Sequence, residues 1–342
     1  MMLRKGVYQR MAFGTALLVV AASATALLTR ANSPLQPADM LALPESRIDL
    51  AVAKLSMDKI IDPNIDINAN LQKLDAMAAD IKHMLPPNAT SNDKVLALMA
   101  YLYDPGPWNH YQNFSYNLDD PLGKDIKTKL LPSYLETRQG NCVSMPTLLV
   151  ILGRRIGLNM TLVMAPNHFF VHFIQDNGEP YNLEGVEKGT VSNERYQKEH
   201  YVTDAEIANG IYLKSLTKKQ EVEALLMVLV NYYRDNKQYD KAIELTDMVL
   251  QQDPESVDAM LNKGSVYGGM GRDFLKSHNG KFTSEEDRYY QELGKTYNVW
   301  LTKAEARGWT EPPKDYDQKY LAVVERAKAK RKVQGEMKNA GQ

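Results

Sequence analysis

Apolar residues recur every three to four positions over most of the chain, which is the spacing of amphipathic helices. Early in the chain this pattern predicts two helices with a break at residues 62–64, and residues 93–103 predict another. Long helical patterns return over residues 218–332. Between them, residues 142–156 predict a buried helix, and residues 160–186, rich in aromatic and β-branched side chains, predict short strands. The pattern therefore predicts an α+β core followed by an all-α region.

The chain has a single cysteine, Cys142, which opens the predicted buried helix just past a Gln-Gly-Asn turn. A helix start offers unpaired backbone N–H groups and the positive end of the helix dipole. Both favour the thiolate form of a cysteine and supply donors for a developing oxyanion. Cys142 is therefore a candidate nucleophile. The alternative is a small buried hydrophobic residue, the most common role of a lone cysteine.

A histidine and an acid follow on the predicted strands. His168 comes after a Pro-Asn turn, and an Asp-Asn-Gly sequence ending at Gly178 indicates a hairpin. A three-residue loop with Gly178 in the left-handed conformation would place His168 opposite Val186 and make Glu184 its diagonal neighbour, roughly 7 to 8 Å away. Glu184 is thus the first candidate to orient the His168 ring, and Asn182, one step farther away, is the second. The alternative is a Glu184 that faces solvent.

The pair His168 and His172 has a spacing that binds metal when it lies on a helix. On a strand the two rings would lie roughly 13 Å apart, at about 3.3 Å per residue. No zinc site is therefore predicted here, and no other metal or cofactor is expected.

The order of these residues resembles that of the transglutaminase-like superfamily, in which a helix-borne Cys is followed by a His on one strand and an acid on the next. RQGNCVSMPTLLVILGRRIGL, residues 138–158, is similar to the R-x-G-x-C pattern with its apolar helix, Arg and Gly-Ile/Leu. APNHFFVHF, residues 165–173, resembles the His strand of the bacterial branch that couples this domain to tetratricopeptide repeats. Many relatives have an aspartate on the third strand where this chain has Asn-Leu-Glu, which leaves the third member open.

The resemblance implies a papain/transglutaminase-like core, with the cysteine helix packed on a small antiparallel sheet. It also implies thiol-dependent acyl transfer or hydrolysis on a peptide or protein amide through a thioester. The triad would be Cys142, His168 and Glu184, with Asn182 as the alternative third member. Either a cysteine peptidase or amidase, or a transglutaminase-type acyltransferase, fits the resemblance.

A loop dense in turn formers and aromatic side chains, residues 104–123, precedes the cysteine. In cysteine acyl-transfer enzymes, a Trp, Gln or Asn side chain ahead of the nucleophile often completes the oxyanion hole. Trp108, Gln112 and Asn113 are therefore candidates for this role. The alternative is that the aromatic residues, Trp108 among them, anchor the loop beneath the cysteine helix.

Residues 1–31 predict export. Basic residues without any acid precede an uncharged apolar stretch at residues 11–28. This is the pattern of a signal peptide, and its length also suits an uncleaved inner-membrane anchor. With the bacterial source that the resemblance implies, the expected location is the periplasm or the periplasmic face of the inner membrane. Residues 32–44, rich in Ser, Pro and Ala, predict a linker.

Charge and cysteine content narrow the class of protein further. The formal net charge is −1, so there is no basic excess to bind nucleic acid. A single cysteine allows no internal disulfide, and an exported fold of this kind must rest on its apolar core.

The C-terminal helical pattern resembles a tetratricopeptide (TPR) repeat. Counting from Glu223, positions 4, 7, 11, 20 and 32 of the 34-residue pattern are occupied by Leu226, Leu229, Tyr233, Ala242 and Pro254. An ordinary helical hairpin is the alternative. The predicted organisation is N-terminal helices at 45–90, a transglutaminase-like domain at 91–217, a TPR-like region at 218–335 and a disordered tail at 336–342.

Two functions follow as hypotheses. The first is the exported cysteine acyl-transfer enzyme described above. The second is a catalytically silent scaffold, in which the TPR-like region binds a protein partner in the cell envelope.

Overall fold

The computed structural model describes residues 33–184, 189–322, 324–326 and 328–329. The predicted signal or anchor, including residues 11–28, and the predicted tail at 336–342 lie outside the described residues. Within the described ranges, no helix is both long enough and apolar enough to cross a membrane.

The N-terminal part of the chain is helical. Its elements are α1 (Pro37–Ala42), a 3-10 turn (Glu45–Arg47), α2 (Leu50–Ile61), α3 (Ile67–His83) and α4 (Ser91–Tyr103). Asp49 and Asp66 accept hydrogen bonds from the first backbone N–H groups of α2 and α3, and Thr90 and Asp93 form a capping box on α4. The break predicted at residues 62–64 therefore separates α2 from α3.

The cysteine helix lies at the centre of the molecule. The elements before it are a 3-10 turn (Pro107–Asn109), β1 (Ser115–Tyr116), a 3-10 turn (Ile126–Lys129), α5 (Leu131–Thr137) and β2 (Gln139–Gly140). The short strands β1 and β2 pair in parallel. The helix itself, α6 (Ser144–Arg155), is buried along nearly its whole length because apolar residues cover it on every side.

An antiparallel sheet packs against α6. Its strand order is β3 (Asn159–Ala165), β4 (His168–Ile174), β5 (Pro180–Glu184) and β6 (Gly189–Thr190). In the β4–β5 hairpin, Val171 pairs with Leu183 and Ile174 with Pro180, and Gly178 has a φ of 87°. This register and this left-handed glycine confirm the predicted hairpin.

Two further pairs of helices follow two short ones. The short helices are α7 (Asn193–His200) and α8 (Asp204–Ala208), and the long ones are α9 (Lys218–Asp235), α10 (Tyr239–Gln252), α11 (Val257–Ser277) and α12 (Ser284–Glu305). Ala242 is fully buried, and a Cβ at Gly264 would lie 3.1 Å from the Leu301 side chain, so small residues let these helices approach closely. Residues 316–322 are helical again; they are called the C-terminal segment below.

The structure corrects the prediction that residues 32–44 form a linker. It contains α1, whose Met40 and Leu41 are buried in the main core, and α1 packs against α9 and α10. The Ser, Pro and Ala content pointed to a flexible spacer, but Pro37 occupies the first turn of a helix, where proline is tolerated. The apolar pair then fixes this helix on the core.

Candidate active site

Cys142 lies in the turn that joins β2 to α6. Asn141 shapes this turn, because its side-chain Oδ1 accepts hydrogen bonds from the backbone N–H groups of Val143 (2.9 Å) and Ser144 (3.3 Å). The Nδ2 of Asn141 donates to Thr128 Oγ1 at 3.1 Å. The helix consequently begins at Ser144, and Cys142 precedes it instead of opening it as predicted. The thiol is half-buried.

A tight turn brings His168 beside this thiol. Asn167, the last residue of the β3–β4 turn, has a left-handed backbone (φ 54°), which Asn tolerates better than most residues. Its carbonyl oxygen accepts a hydrogen bond from Cys142 Sγ at 3.7 Å. The side chain of His168, the next residue, lines the same cavity as Cys142, and the sulfur contributes to the pKa of its ring. The sulfur and the imidazole are therefore neighbours, as a Cys-His dyad requires.

Glu184 contacts the His168 ring through its Nε2 atom. His168 Nε2 lies 2.9 Å from Glu184 Oε2, and the same oxygen accepts a hydrogen bond from Tyr196 OH at 2.9 Å. The Tyr196 ring stacks on Phe170 with centroids 4.0 Å apart, which holds the phenol in place. Glu184 is only 7% exposed, so its carboxylate acts on His168 with little screening by water.

These contacts set the protonation of His168. Burial on its own lowers the pKa of the ring, but the charge of Glu184 and hydrogen bonds to Cys142 and Glu184 raise it to about 10. The charged contacts outweigh the desolvation, so His168 carries its proton at neutral pH. The row Cys142, His168, Glu184 thus places an imidazolium between a sulfur and a carboxylate.

A comparison with known protein families matches the part of the chain that contains Cys142, His168 and Glu184. Residues 68–226 match the family model described as the transglutaminase-like superfamily. The chain carries a transglutaminase-like domain. The matched range begins in α3 and ends in α9, and the boundaries 91–217 stay a prediction. It contains Cys142, His168 and Glu184, whose catalytic roles stay predictions.

Two distant relatives share part of the sequence. A protein of Xylella fastidiosa strain Temecula1, named UPF0162 protein, is 24% identical over 216 residues, which are 61% of this chain and 72% of that protein. Protein SirB1 of Salmonella typhimurium is 24% identical over 184 residues, which are 52% of this chain and 64% of SirB1. No solved structure matches the chain.

A second histidine lies against the transglutaminase-like site. The ring of His200, at the end of α7, stacks on His168 with centroids 4.9 Å apart and planes 19° apart. Burial, and then the positive charge of His168, lower the pKa of His200 to about 3. His200 is therefore neutral wherever the protein works. Its Nδ1 lies 2.7 Å from the hydroxyl of Tyr316 in the C-terminal segment.

The thiol faces a cavity of about 540 Å³ between the transglutaminase-like domain and the helices after it. Cys142 and His168 line one wall, and the C-terminal segment lines another. The opposite wall, formed by α9 and α11, contains two hydrogen-bonded polar pairs. These are Asn231 Nδ2 to Asn262 Oδ1 (3.0 Å) and Arg234 Nη1 to Ser265 Oγ (2.7 Å).

Several predicted site residues lie elsewhere. Asn182 pairs with His172 across the β4–β5 ladder, and its amide donates to Asn193 Oδ1 at 2.7 Å, so it is Glu184 and not Asn182 that contacts His168. The alternation of side chains along β5 puts both residues on one face, but Asn182 is one rung too far along.

The structure also corrects the prediction that Trp108, Gln112 or Asn113 completes an oxyanion hole, since none of the three lines the cavity that contains Cys142. Trp108 Nε1 donates to Ala100 O at 3.2 Å, which places its ring on the end of α4. The backbone oxygen of Gln112 accepts a hydrogen bond from Arg138, and Asn113 Nδ2 donates to the next carbonyl at 3.1 Å. Local polar partners hold this loop away from the thiol.

Sequence reasoning missed Tyr116, His200, Tyr316 and Tyr320, which surround the dyad. Tyr196 lies behind Glu184 and is only 2% exposed. The spacing of Tyr316 and Tyr320 shows that they share a helix face. No local signal links that face to a cysteine far away in the sequence.

Proposed function

We propose that the protein is a cysteine acyl-transfer enzyme that acts on a peptide or protein amide through a thioester. The observation that carries this proposal is His168, held between Cys142 on one side and Glu184 on the other. An isolated buried cysteine would need neither partner. The proposal also includes export to the periplasm and a TPR-like C-terminal array.

The chemistry follows from the positions of the protons. Cys142 attacks the amide carbonyl carbon as a thiolate, with its proton already on His168, and the C–N bond of the tetrahedral intermediate then breaks. His168, protonated at neutral pH, gives its proton to the departing amine, and Glu184 stabilises and orients the ring throughout. Water, or an amine in a transglutaminase, then attacks the thioester and returns a proton to His168 as Sγ leaves. Hydrolysis and amine transfer use the same residues.

The oxyanion needs a donor other than those predicted at the helix start. The N–H groups of Val143 and Ser144 are already bound to Asn141 Oδ1. Among the described residues, the backbone N–H of Cys142 itself has no acceptor, and it belongs to the attacking residue. We assign it as the backbone donor to the oxyanion, where one such hydrogen bond contributes roughly 3 to 4 kcal/mol to catalysis.

Alkylation of the thiol tests the dyad. Iodoacetamide should modify Cys142 at neutral pH at least about tenfold faster than it modifies a cysteine peptide, and His168→Ala should remove that advantage. The matched control is His278→Ala, because His278 also contacts a glutamate, Glu286 at 3.3 Å, in a part of the helical array that does not line the cavity. Cys142→Ala should abolish labelling.

Acyl transfer itself is tested with glutamine peptides. Release of ammonia, or incorporation of a dansylated primary amine into casein, should require both Cys142 and His168. If Cys142 reacts no faster than the cysteine peptide and His168→Ala changes nothing, the enzyme proposal fails. The scaffold hypothesis then becomes the better one, and it predicts a biological role that survives Cys142→Ala but not the combined changes Asn231→Ala and Asn262→Ala on the cavity wall.

A further inference from the structure

The C-terminal segment lies against both halves of the candidate active site. Tyr316 and Tyr320 are four residues apart on a helix and therefore share one face. Both line the cavity that contains Cys142. Tyr316 contacts the turn that carries His168, and Tyr320 contacts the strand pair that leads to Cys142.

Tyr316 fixes the histidine side. Its hydroxyl donates to Pro166 O at 3.1 Å and lies 2.7 Å from His200 Nδ1. Because the single hydroxyl proton goes to Pro166, the second contact fits the His200 tautomer that carries its proton on Nδ1. Pro166 belongs to the same turn as Asn167, whose carbonyl accepts a hydrogen bond from the Cys142 thiol. The ring of His200 stacks on the ring of His168. One hydroxyl thus reaches the turn and the ring that define the position of His168.

Tyr320 fixes the cysteine side. Its hydroxyl is hydrogen-bonded to the hydroxyl of Tyr116 at 2.7 Å, and the Tyr116 hydroxyl also lies 2.7 Å from Pro121 O. Tyr116 pairs with Gly140 in the β1–β2 ladder, two residues before Cys142. The bond between Tyr320 and Tyr116 therefore holds the strand that carries the nucleophile.

Both phenols keep their protons beside the thiol. Burial, and then the negative charge that Cys142 carries as a thiolate, raise the pKa of Tyr316. Burial also raises the pKa of Tyr320; the hydrogen bond with Tyr116 lowers it by less, and the Cys142 charge raises it further. Tyr316 and Tyr320 consequently remain protonated over the whole working range of pH, and both lie within electrostatic reach of the sulfur.

We propose that Tyr316 and Tyr320 are positioning residues, whose hydroxyl groups hold the His168 turn and the Cys142 strand in contact with each other. This inference rests on the proposed function for its meaning, because the contact matters only if the dyad reacts. It makes the C-terminal segment, which lies beyond the matched range 68–226, a part of the active site.

The test removes the hydroxyl groups and keeps the rings. In the full chain, Tyr316→Phe, Tyr320→Phe and the control Tyr181→Phe are compared, since Tyr181 is an exposed residue of the same sheet that does not line the cavity. The ring nitrogens of His168 are titrated by NMR from about pH 6 to about pH 11, and the signal is assigned by its loss in His168→Gln. Cys142, Glu184, His200 and Tyr196 surround this ring and are unchanged in all three variants.

Tyr316→Phe should lower the pKa of His168 by about one unit, because the turn relaxes away from the thiol and weakens the contacts that raise it. Alkylation of Cys142 should slow by roughly tenfold in Tyr316→Phe and in Tyr320→Phe. Tyr181→Phe should match the wild type in both measurements. Thermal unfolding of each variant sets the temperature range in which the chain is fully folded, and both measurements are made within it.

If Tyr316→Phe and Tyr320→Phe titrate and alkylate like Tyr181→Phe, the positioning role is refuted even in an active enzyme. If instead the chain never turns over an amide, yet the titration shift of His168 appears, the positioning holds and the proposed function fails. The two outcomes are therefore distinguishable.

Discussion

At the scale of single residues, Glu184 determines the charge of His168. An uncharged hydrogen-bond acceptor at that point would orient the ring equally well, but it would supply no negative charge to offset burial. Tyr196 holds the same carboxylate oxygen that contacts His168, so the carboxylate has one preferred position. The hairpin register delivers a glutamate to this point because its longer side chain spans the diagonal from β5.

Glu184→Gln should therefore lower the pKa of His168 by at least about one unit, since the hydrogen bond can persist while the charge is lost. NMR titration of the His168 ring measures this shift directly. Glu286→Gln, in the distant His278 pair, should leave the His168 titration unchanged. A wild-type titration curve in Glu184→Gln would show that the carboxylate is not the source of the raised pKa.

His200 should make the protein sensitive to acid. Its folded pKa is lowered to about 3, so in moderately acidic solution the unfolded chain binds a proton there that the folded chain does not. Stability therefore falls as pH drops below the ordinary histidine pKa, by about 2 kcal/mol from this residue between about pH 7 and about pH 5. His168 partly opposes this slope, because its raised pKa provides stability that is fully present below about pH 6.5 and is lost as pH rises from there through about 10.

His200→Gln should remove this slope. Urea unfolding at the two pH values measures it, and the readout is the difference between them, which cancels any constant loss of packing. The control, His278→Gln, should keep the wild-type difference. An equal loss on acidification in the wild type and in His200→Gln would contradict the assignment.

At the scale of elements, the β2–α6 turn depends on a glycine. A Cβ at Gly140 would lie 2.5 Å from Ser144 Oγ and 2.6 Å from the Tyr134 ring. Ser144 Oγ cannot move easily, because it donates to Thr128 O at 2.8 Å and accepts from Asn141 N at 3.1 Å. The turn that presents Cys142 thus packs too closely for any side chain.

Gly140→Ala should therefore destabilise the fold by about 1 to 3 kcal/mol and slow alkylation of Cys142. Gly294→Ala is the matched control, since nothing lies within 4 Å of a Cβ at this site in α12. There the change should raise stability by up to about 1 kcal/mol, because alanine favours helix. Urea unfolding measures both variants, and equal effects at the two sites would contradict the steric argument.

The parts of this site that depend on neighbouring residues could be predicted from the sequence. The hairpin register followed from the Asp-Asn-Gly turn and placed Glu184 beside His168, because turn geometry and alternation are short-range rules. The predicted start of α6 at Cys142 is wrong by two residues. The Asn141 side chain accepts hydrogen bonds from the N–H groups of Val143 and Ser144, which the apolar pattern alone does not show. Trp108 was misassigned for a similar reason, because its partner, the carbonyl of Ala100, is fixed only by the folded loop.

At the scale of the whole molecule, an ion pair joins the cysteine helix α6 to α9 of the helical array. Both oxygens of Glu221, in α9, accept hydrogen bonds from Arg154 at 2.7 Å, and one also accepts from Leu162 N at 2.9 Å. Arg154 Nε donates in turn to Met160 O at 2.9 Å. Burial raises the pKa of Glu221 and Arg154 lowers it. Partners so far apart in sequence are beyond the reach of local patterns.

Breaking this pair on one side should be costly. Glu221→Gln keeps an acceptor for Leu162 but leaves the Arg154 charge without its counterion, and we expect a loss of about 2 to 4 kcal/mol, somewhat reduced because Arg154 is partly exposed. Asp273→Asn, which breaks the exposed pair with Lys237, is the control and should cost much less, because water screens this pair.

The same variant tests whether sheet and array unfold together. The wild type should show one cooperative transition in urea, because α9 is packed into the core of the transglutaminase-like domain. In Glu221→Gln the array should loosen first, and since the C-terminal segment extends from it to Tyr316 and Tyr320, alkylation of Cys142 should change in the first of two transitions. A single transition in both proteins, with alkylation and helix content changing together, would mean that this ion pair is not what joins the array to the active site.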